Sequence, residues 1–485
     1  MEKFDGTKPM PVYVDMDGTL VKTDIAQELI LQCFKKIALL YQLLLLLFSG
    51  RSHIKRFLAL NTEFSAKHLP YNQKLIEYLQ EEKSRGRELI LATASDKLIA
   101  DKVAKHLGFF NGIIASEPGS NLKGKHKLDA IKLHSGERGF EYIGDAKADY
   151  PIWRAADKAG FVNTAQDPKI IVEDVAKHSI NINDKNSGTA AFLKAIRVHQ
   201  WAKNLLVFLP LFFSHLYFSV SALTSAALTF LVFSLCASGI YLINDLLDIE
   251  SDRKHATKRK RPFAAATLLP LNGVIASFLL ILSSLVICFF FLNIKVFVVL
   301  VAYMIITNVY SFYLKDYSTI DVITLTTLYT IRIVAGAVAV DVALSPWLFN
   351  FSLFFFLSLA YMKRYIEITR YAKEGRLSGR NYNADETNVI MTMGIVNGGI
   401  AIFTLTMYLN DDYVLSTYLS PQVLWLICPL LLFWVYRAWM WAKRDKIDDD
   451  PVVFAITDKV SLVTVLLVTL LFFTAKYIDL NLVFL

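Results

Sequence analysis

Two sets of carboxylates in this chain have a type and spacing suited to phosphate chemistry. The first is Asp15-Met16-Asp17-Gly18-Thr19-Leu20, which directly follows the strand-like run PVYV. A carboxylate on the last strand residue, Asp15, can attack phosphorus, and Asp17, two residues on, points to the same side and can protonate the leaving oxygen. Gly18 permits the tight turn that brings both to the carboxyl edge of a sheet, where ligands of open α/β sheets bind. A later run ends in LATAS, which offers the Thr93 hydroxyl, ahead of Ser95, and nearby backbone N–H groups to a phosphoryl oxygen. Lys127, or else Lys125, opens a following helix and would neutralise charge, and IGDAKAD supplies Asp145 and Asp149 to complete a Mg2+ site.

The second set is Asn244-Asp245-Leu246-Leu247-Asp248, continued by Asp252-Arg253, at the end of a long apolar run. Read as one helix, Asp245 and Asp248 are three apart, and Asn244, Asp248 and Asp252 are four apart, so all share a face. Carboxylates stacked at a membrane-embedded helix end repel one another unless a cation sits between them. Mg2+ held this way characteristically takes its remaining oxygens from a diphosphate. Arg253, Lys254, Lys258, Arg259, Lys260 and Arg261 would suit phosphate groups, although basic residues here also satisfy the positive-inside rule. Further on come Tyr310, Lys315 and Asp321, then a stripe of Asp321, Leu325, Leu328 and Arg332 that turns a carboxylate and a guanidinium to one interior groove. A buried arginine in a span usually answers a phosphate or carboxylate, the alternative being a structural pair with a neighbouring helix.

The elements that position these residues fall into two unlike parts. Up to about residue 188, strand-like runs at Pro11 to Asp15, Glu88 to Ala92, Gly112 to Ser116, Phe140 to Gly144 and Gly160 to Thr164 alternate with helical stretches, predicting βα units on a largely parallel, Rossmann-like sheet. Residues 25 to 85 lack strand signals and predict a helical cap. Its apolar run Ile37 to Phe48 would span only ~18 Å as a helix, short of a ~30 Å hydrocarbon core. It therefore reads as a buried cap helix, ahead of a membrane-lying one. The polar opening, Met1 to Pro11, carries no cleavable signal and predicts a cytosolic start.

After a polar linker near Asn181 to Gly188, residues 189–485 read as an all-α membrane domain. Nine apolar stretches are long enough to cross a bilayer: 198–218, 222–243, 270–292, 296–313, 320–340, 346–362, 389–409, 422–440 and 459–478. The basic loops, Arg253 to Arg261, Lys315, Lys363 to Arg380 and Arg437 to Lys446, fall after even-numbered spans. With a cytosolic N-terminus they lie inside, the C-terminus lies outside, and every polar motif faces the cytosol.

Composition agrees: 54% of the 485 residues are hydrophobic and only 19% charged, which argues against a single water-soluble globule. The net charge of +8 is not gathered into a tail that could grip nucleic acid, and four scattered cysteines support neither a disulfide framework nor a CxxC metal site.

The ordered motifs of residues 10 to 185 resemble the haloacid-dehalogenase-like phosphohydrolases. The resemblance implies Asp15 as the nucleophile forming an aspartyl-phosphate, Asp17 as acid/base, Thr93 and Lys127 as phosphate clamps, and Asp145 with Asp15 as metal ligands. Residues 190 to 485 resemble the UbiA superfamily of intramembrane prenyl-transferring enzymes, which have nine helices and an NDxxDxxxD motif. Within it they are most similar to the polyprenyl-phosphate phosphoribosyltransferases, through RVHQWAKNLLVFLPL, NDLLDIESDRKHATKRKRP, YSFYLKDYSTIDV, TIRIVAGA, Lys363-Arg364-Tyr365 and DPVVFAITDKVS.

That resemblance implies a Mg2+-dependent inner-membrane enzyme that binds phosphoribosyl diphosphate and a polyprenyl phosphate lipid, producing a cell-envelope precursor. Asn244, Asp245, Asp248 and Asp252 would serve the metal, and Arg253, Lys258, Arg261, Tyr310, Lys315, Asp321, Arg332, Lys363 and Arg364 the substrates. The soluble part would then hydrolyse the 5-phosphate of the product. The alternative is an aromatic prenyltransferase with a regulatory or unrelated phosphatase domain, against which Lys315 stands where relatives carry a second aspartate motif. No nucleic-acid partner is expected, and a homo-oligomer is left open.

Overall fold

The computed structural model describes residues 9–46, 49–184, 188–255, 257–373, 382, 384–447 and 450–480. Parts of five sequence features lie outside the described residues: residues 1–8 of the polar opening, Leu47 and Phe48 of the cap run, residues 185–187 of the linker, residue 256 of the basic loop Arg253 to Arg261, and residues 374–380 of the basic stretch ending at Arg380. The chain divides into two compact units, one of residues 1–196 with 241–278 and the other of 197–240 with 279–485.

The first unit is built on six parallel strands, β1 (Val12–Val14), β2 (Leu89–Asp96), β3 (Gly112–Ser116), β4 (Glu141–Gly144), β5 (Lys158–Val162) and β6 (His178–Ile182), in the order β3-β2-β1-β4-β5-β6. β6 was not among the expected strands. Its run HSINI is polar at alternate positions and half-exposed, so it lacks the apolar signature of the inner strands. Alternation along β1 sends Val12 and Val14 to one face and Tyr13 to the other. The first face is covered by α1 (Ile25–Cys33), α2 (Ile37–Leu45), α3 (Arg51–Asn61), α4 (Gln73–Ser84) and α5 (Lys97–Leu107), with Leu29, Leu75 and Val103 in its core. The second is covered by α6 (Lys125–Ser135), α7 (Tyr150–Ala155) and α8 (Pro168–Ile171), through Ile131, Trp153 and Ile171. Asp24, Asn72 and Asp96 cap α1, α4 and α5 with their carboxylate or amide oxygens.

The expected helical cap is present, but α2 is not the buried helix that the sequence predicts. Among its described side chains only Leu43 is buried, and Tyr41, Leu44 and Leu45 are exposed. An apolar run looks the same whether protein or lipid covers it, so composition alone could not separate the two.

α9 (Gly188–Ala195) closes the N-terminal part, and the remaining helices are α10 (Leu209–Phe213), α11 (Val220–Leu247), α12 (Ile249–Lys254), α13 (Pro270–Phe291), α14 (Ile294–Phe312), α15 (Ile320–Ala339), α16 (Pro346–Lys373), α17 (Thr387–Leu409), α18 (Asp412–Thr417), α19 (Ile427–Lys443), α20 (Pro451–Thr457) and α21 (Lys459–Tyr477). Among the described residues, seven helices are long and apolar enough to cross a membrane: α11, α13, α14, α15, α17, α19 with its preceding turn, and α21. Two of the nine expected spans differ. Residues 198–218 form an irregular 3-10 segment, Val198–Phe208, followed by the short α10, because Lys203, Asn204 and Pro210 interrupt the apolar run. α16 has the length, but Asn350, Ser352, Ser358 and Lys363 dilute its apolar character.

α11 and α15 are 61% buried along their apolar windows, whereas α13, α14 and α21 are 17–22% buried. The helices that carry the polar motifs are thus the inner ones. Close approach in the second unit depends on small residues: a Cβ at Gly336 would strike the Val207 carbonyl, and one at Gly394 the Trp439 ring.

Candidate functional site

The strand order reverses direction between β1 and β4, and such a switch point opens a crevice at the carboxyl ends of the strands. Asp15 follows β1 and Asp145 follows β4, so the two flank that crevice. Lys127 Nζ lies 3.0 Å from Asp15 Oδ1 and 3.6 Å from Asp149 Oδ1. It also donates to Tyr142 OH at 3.0 Å, and that hydroxyl donates to Asp149 at 2.8 Å. Lys127 is buried while Lys125 is exposed, so Lys127 is the lysine that reaches the carboxylates. Asp15, Asp145 and Asp149 each offer an oxygen within 4.8 Å of the others.

Gly18, at φ +79°, is required beside this cluster, since a Cβ there would strike the Asp145 carboxylate. Asp17 accepts Ser95 Oγ–H at 2.5 Å and the Ile25 N–H at 2.9 Å. Thr93 Oγ accepts the Ser95 N–H at 3.0 Å. The two hydroxyl residues weighed in the sequence therefore sit together, Ser95 against Asp17 and Thr93 behind it.

The electrostatics follow from burial. Burial lifts the Asp15 carboxyl to about 6, with Lys127 opposing and Asp149 reinforcing the rise. Burial and then Asp24 push Asp17 up to about 7. Burial, with Asp15 and Asp149 nearby, pushes Asp145 up to about 8. Burial alone would pull the Lys127 ammonium down, but Asp15 and Asp149 hold it above its ordinary value. Three crowded carboxylates with hard oxygen donors have the chemistry of a magnesium site. Sequence reasoning missed Tyr142 and Lys55. Tyr142 lies on the strand before IGDAKAD, and Lys55 on α3 donates to the Ala94 carbonyl at the end of β2 at 2.5 Å.

The acidic motif is arranged differently from its expected single face. α11 stops at Leu247, Asp248 is the residue between helices, and α12 carries Asp252. Asp245 and Asp252 are buried and converge on Arg261, whose guanidinium is 3.1 Å from Asp245 Oδ1 and 2.7 Å from Asp252 Oδ2. Asp248 is half-exposed and 3.9 Å from Lys35. Among the described residues, Asp245, Asp248 and Asp252 do not form a set of ligand atoms as compact as that of Asp15, Asp145 and Asp149. Asn244 lies on the last turn of α11, and Lys258 is half-buried in the turn Lys258–Lys260. Arg253 is turned to Glu28, to which it donates twice, at 2.6 and 2.7 Å.

In the second unit, Asp321 and Arg332 do not share a groove as the stripe predicted. Asp321 is paired with Arg364, which also contacts Glu367 and donates to Tyr310 OH at 2.9 Å, and Tyr382 OH donates to Asp321 at 2.7 Å. Two expected substrate residues thus neutralise each other. Arg332 is buried among neutral partners, donating to Asn204 Oδ1 at 2.7 Å, to Tyr303 OH at 3.1 Å and to the Leu328 carbonyl. The Tyr329 ring lies 5.8 Å from Lys203 Nζ and 6.0 Å from the Arg332 guanidinium. Lys203 is ion-paired with Asp450, and Lys363 Nζ is 3.8 Å from the same carboxylate. Burial alone would raise Asp450, but Lys363 and Lys203 hold it down at about 2. Lys315 is half-buried in the turn Leu314–Asp316. Lys203, Asn204 and Asp450 were not singled out from sequence, although a Lys-Asn pair inside an apolar run is a visible signal.

Two family models match the chain: the UbiA prenyltransferase family over residues 205–476 and haloacid dehalogenase-like hydrolase over residues 12–154. A protein of Sinorhizobium fredii named Uncharacterized protein y4nM is 35% identical over 470 residues, covering 95% of this chain and 90% of its own. Nodulation protein NoeC of Azorhizobium caulinodans is 32% identical, over 57% of this chain and 90% of its own. The decaprenyl-phosphate phosphoribosyltransferase of Mycolicibacterium smegmatis is 36% identical, over 42% of this chain and 66% of its own.

Proposed function

Because the chain belongs to the UbiA prenyltransferase family and carries a haloacid-dehalogenase-like domain ahead of it, we propose a bifunctional membrane enzyme that both makes and trims a lipid-linked sugar phosphate. The transferase half moves 5-phosphoribose from phosphoribosyl diphosphate to a polyprenyl phosphate, and the soluble half removes the 5-phosphate of that product. The relatives named decaprenyl-phosphate phosphoribosyltransferase support the first step. The observation that supports the combination is the cluster of Asp15, Asp145 and Asp149 with Lys127, in the same compact unit as the acidic end of α11.

In the phosphatase half, Asp15 attacks the phosphorus of the 5-phosphate and forms an aspartyl-phosphate. Asp17, whose carboxyl burial pushes up to about 7, is protonated in a large share of molecules near neutral pH and delivers that proton to the leaving sugar oxygen. It then takes a proton from the water that hydrolyses the aspartyl-phosphate. Thr93 orients the phosphoryl oxygens and Lys127 offsets their charge. Asp15, Asp145 and Asp149 would hold Mg2+, which neutralises the charge of the phosphoryl group when bound.

In the transferase half, Asp245 and Asp252 already converge on a cation, the guanidinium of Arg261, and as hard oxygen donors they fit a magnesium ion with Arg261 moved aside. Such an ion would stabilise the leaving diphosphate. Within the second unit, Lys203, Lys363 and Arg332 are cations suited to phosphate groups, and in the reaction a lipid phosphate oxygen attacks the ribose C1. The chain is a multi-pass membrane protein; we assign it to the inner membrane, and the positive charge of the Arg253 to Arg261 loop favours a cytosolic side for both acidic motifs.

The test supplies membranes containing the protein with labelled phosphoribosyl diphosphate and polyprenyl phosphate. Label is expected in the lipid fraction, in a species without its 5-phosphate, and Asp15→Asn should yield the same lipid with the phosphate retained. No label in lipid would overturn the transferase reading. Identical lipids from parent and variant would overturn the coupled phosphatase.

A further inference from the structure

Helix α2 is apolar on both of its sides. Leu39 and Leu43, four apart, pack inward against the core of the soluble part. On the other side Tyr41, Leu44 and Leu45 are 63%, 53% and 60% exposed, and Phe34, just before the helix, is 55% exposed. No charged residue interrupts Ile37 to Leu45. A cap helix whose outer face meets water keeps that face polar, so this one has the pattern of a helix with a second apolar neighbour.

What that neighbour is follows from where α2 starts. Lys35, Lys36 and Leu39 line one cleft together with Leu246, Leu247 and Ile249. Leu246 and Leu247 are the last residues of α11, a helix long and apolar enough to cross the membrane. The foot of α2 is therefore at the level where α11 ends, and the Glu28 to Arg253 fork holds α1 to the same segment. Lys35 and Lys36, both exposed, lie at that foot, where cations meet lipid phosphates.

We propose that α2 lies in the interface of the bilayer that α11 crosses, with Tyr41, Leu44 and Leu45 among the outer acyl chains and Lys35 and Lys36 at the headgroups. Its nine residues span about 14 Å, too short to cross, but a helix lying in the interface plane seats an apolar side about 5–10 Å into the boundary. The consequence is mechanical: the cap of the soluble part is held against the membrane, with the crevice beneath it near lipid-borne substrate.

The full chain in vesicles of phosphatidylcholine with phosphatidylglycerol provides the test. Cys33, Cys236 and Cys288 are buried, so Cys428→Ala leaves a background suited to site-directed nitroxide labels. Labels enter at Leu44→Cys, at Tyr41→Cys and, as a water-facing reference, at Leu133→Cys, where the native side chain is 89% exposed on α6. The ratio of oxygen to nickel-chelate accessibility should be about tenfold higher at 44 and 41 than at 133, the signature of residence in acyl chains. Equal ratios at the three positions would overturn the proposal. So would labels at 44 and 41 shielded from both reagents, which is the result if a second copy or another protein covers the helix.

Discussion

Arg253 and Glu28 form a two-pronged ion pair between side chains 225 residues apart, at 2.6 and 2.7 Å, with both groups buried. Glu28 also accepts the Thr23 hydroxyl at 2.7 Å, and Ile25, three residues earlier, gives its N–H to Asp17. One helix, α1, thus connects Asp17, the proposed acid/base, to the segment after the acidic motif. Of the six clustered cations expected at diphosphate, Arg253 is committed to protein.

Glu28→Gln and Arg253→Gln should therefore behave as partners. Each alone leaves a buried charge without its counter-charge, and the expected loss is about 3–5 kcal/mol, read as a fall in thermal midpoint. The double variant should lose clearly less than the sum. If Arg253 instead serves substrate, Arg253→Gln raises the donor KM while Glu28→Gln leaves it unchanged.

Asp245→Asn should lower transfer by at least about a hundredfold, the several kcal/mol expected when a metal and diphosphate site loses a charge. Arg261→Gln should instead raise the apparent Mg2+ affinity, because the guanidinium no longer competes for Asp245 and Asp252. Titrating magnesium against transfer rate in the parent and both variants checks this. An unchanged or lower apparent Mg2+ affinity in Arg261→Gln would count against the shared site.

Arg332 is a buried cation whose hydrogen-bond partners, Asn204, Tyr303 and the Leu328 carbonyl, are all neutral. If, as proposed, Arg332 serves an anionic substrate, Arg332→Met should raise a substrate KM about tenfold or more while the protein remains folded. Arg332→Lys should not restore it, because a point charge lacks the planar fork that reaches two partners. A fall in thermal midpoint with KM unchanged would assign Arg332 to structure alone.

Gly18→Ala should abolish phosphate release with transfer retained. The residue has φ +79°, and its Cβ would strike the Asp145 carboxylate, so both strain and displacement act on one metal-binding group. Phosphate release and lipid labelling, measured on the same preparation, separate the two effects.

That Asp15, Asp145, Asp149 and Lys127 would come together was legible in the sequence because their positions are set locally. Asp15, Asp17, Thr93 and Asp145 each lie within or just beyond a strand, Lys127 opens a helix, and parallel strands bring their carboxyl ends to one edge whatever lies between them. The apolar stretches were legible for a similar reason, since length and hydropathy are properties of a contiguous run. Interruption by Lys203 and Pro210, or dilution by Asn350 and Ser358, was visible too, but not what it did to the helices.

What only the tertiary structure decided is which polar groups meet. Asp321 and Arg332 lie on one stripe of one helix, yet Asp321 is taken by Arg364 from α16 and Arg332 by Asn204 from another segment. Asp245, Asp248 and Asp252 share a helical register, but the break at Asp248 leaves two of them on Arg261 and the third beside Lys35. In each case a neighbour distant in sequence competed for the charge, and a buried charge goes to the partner that best compensates it. The exposed face of α2 belongs to the same class. Its apolar residues were legible in the sequence, whereas the place of its foot beside the end of α11, which points to the membrane as its neighbour, was not.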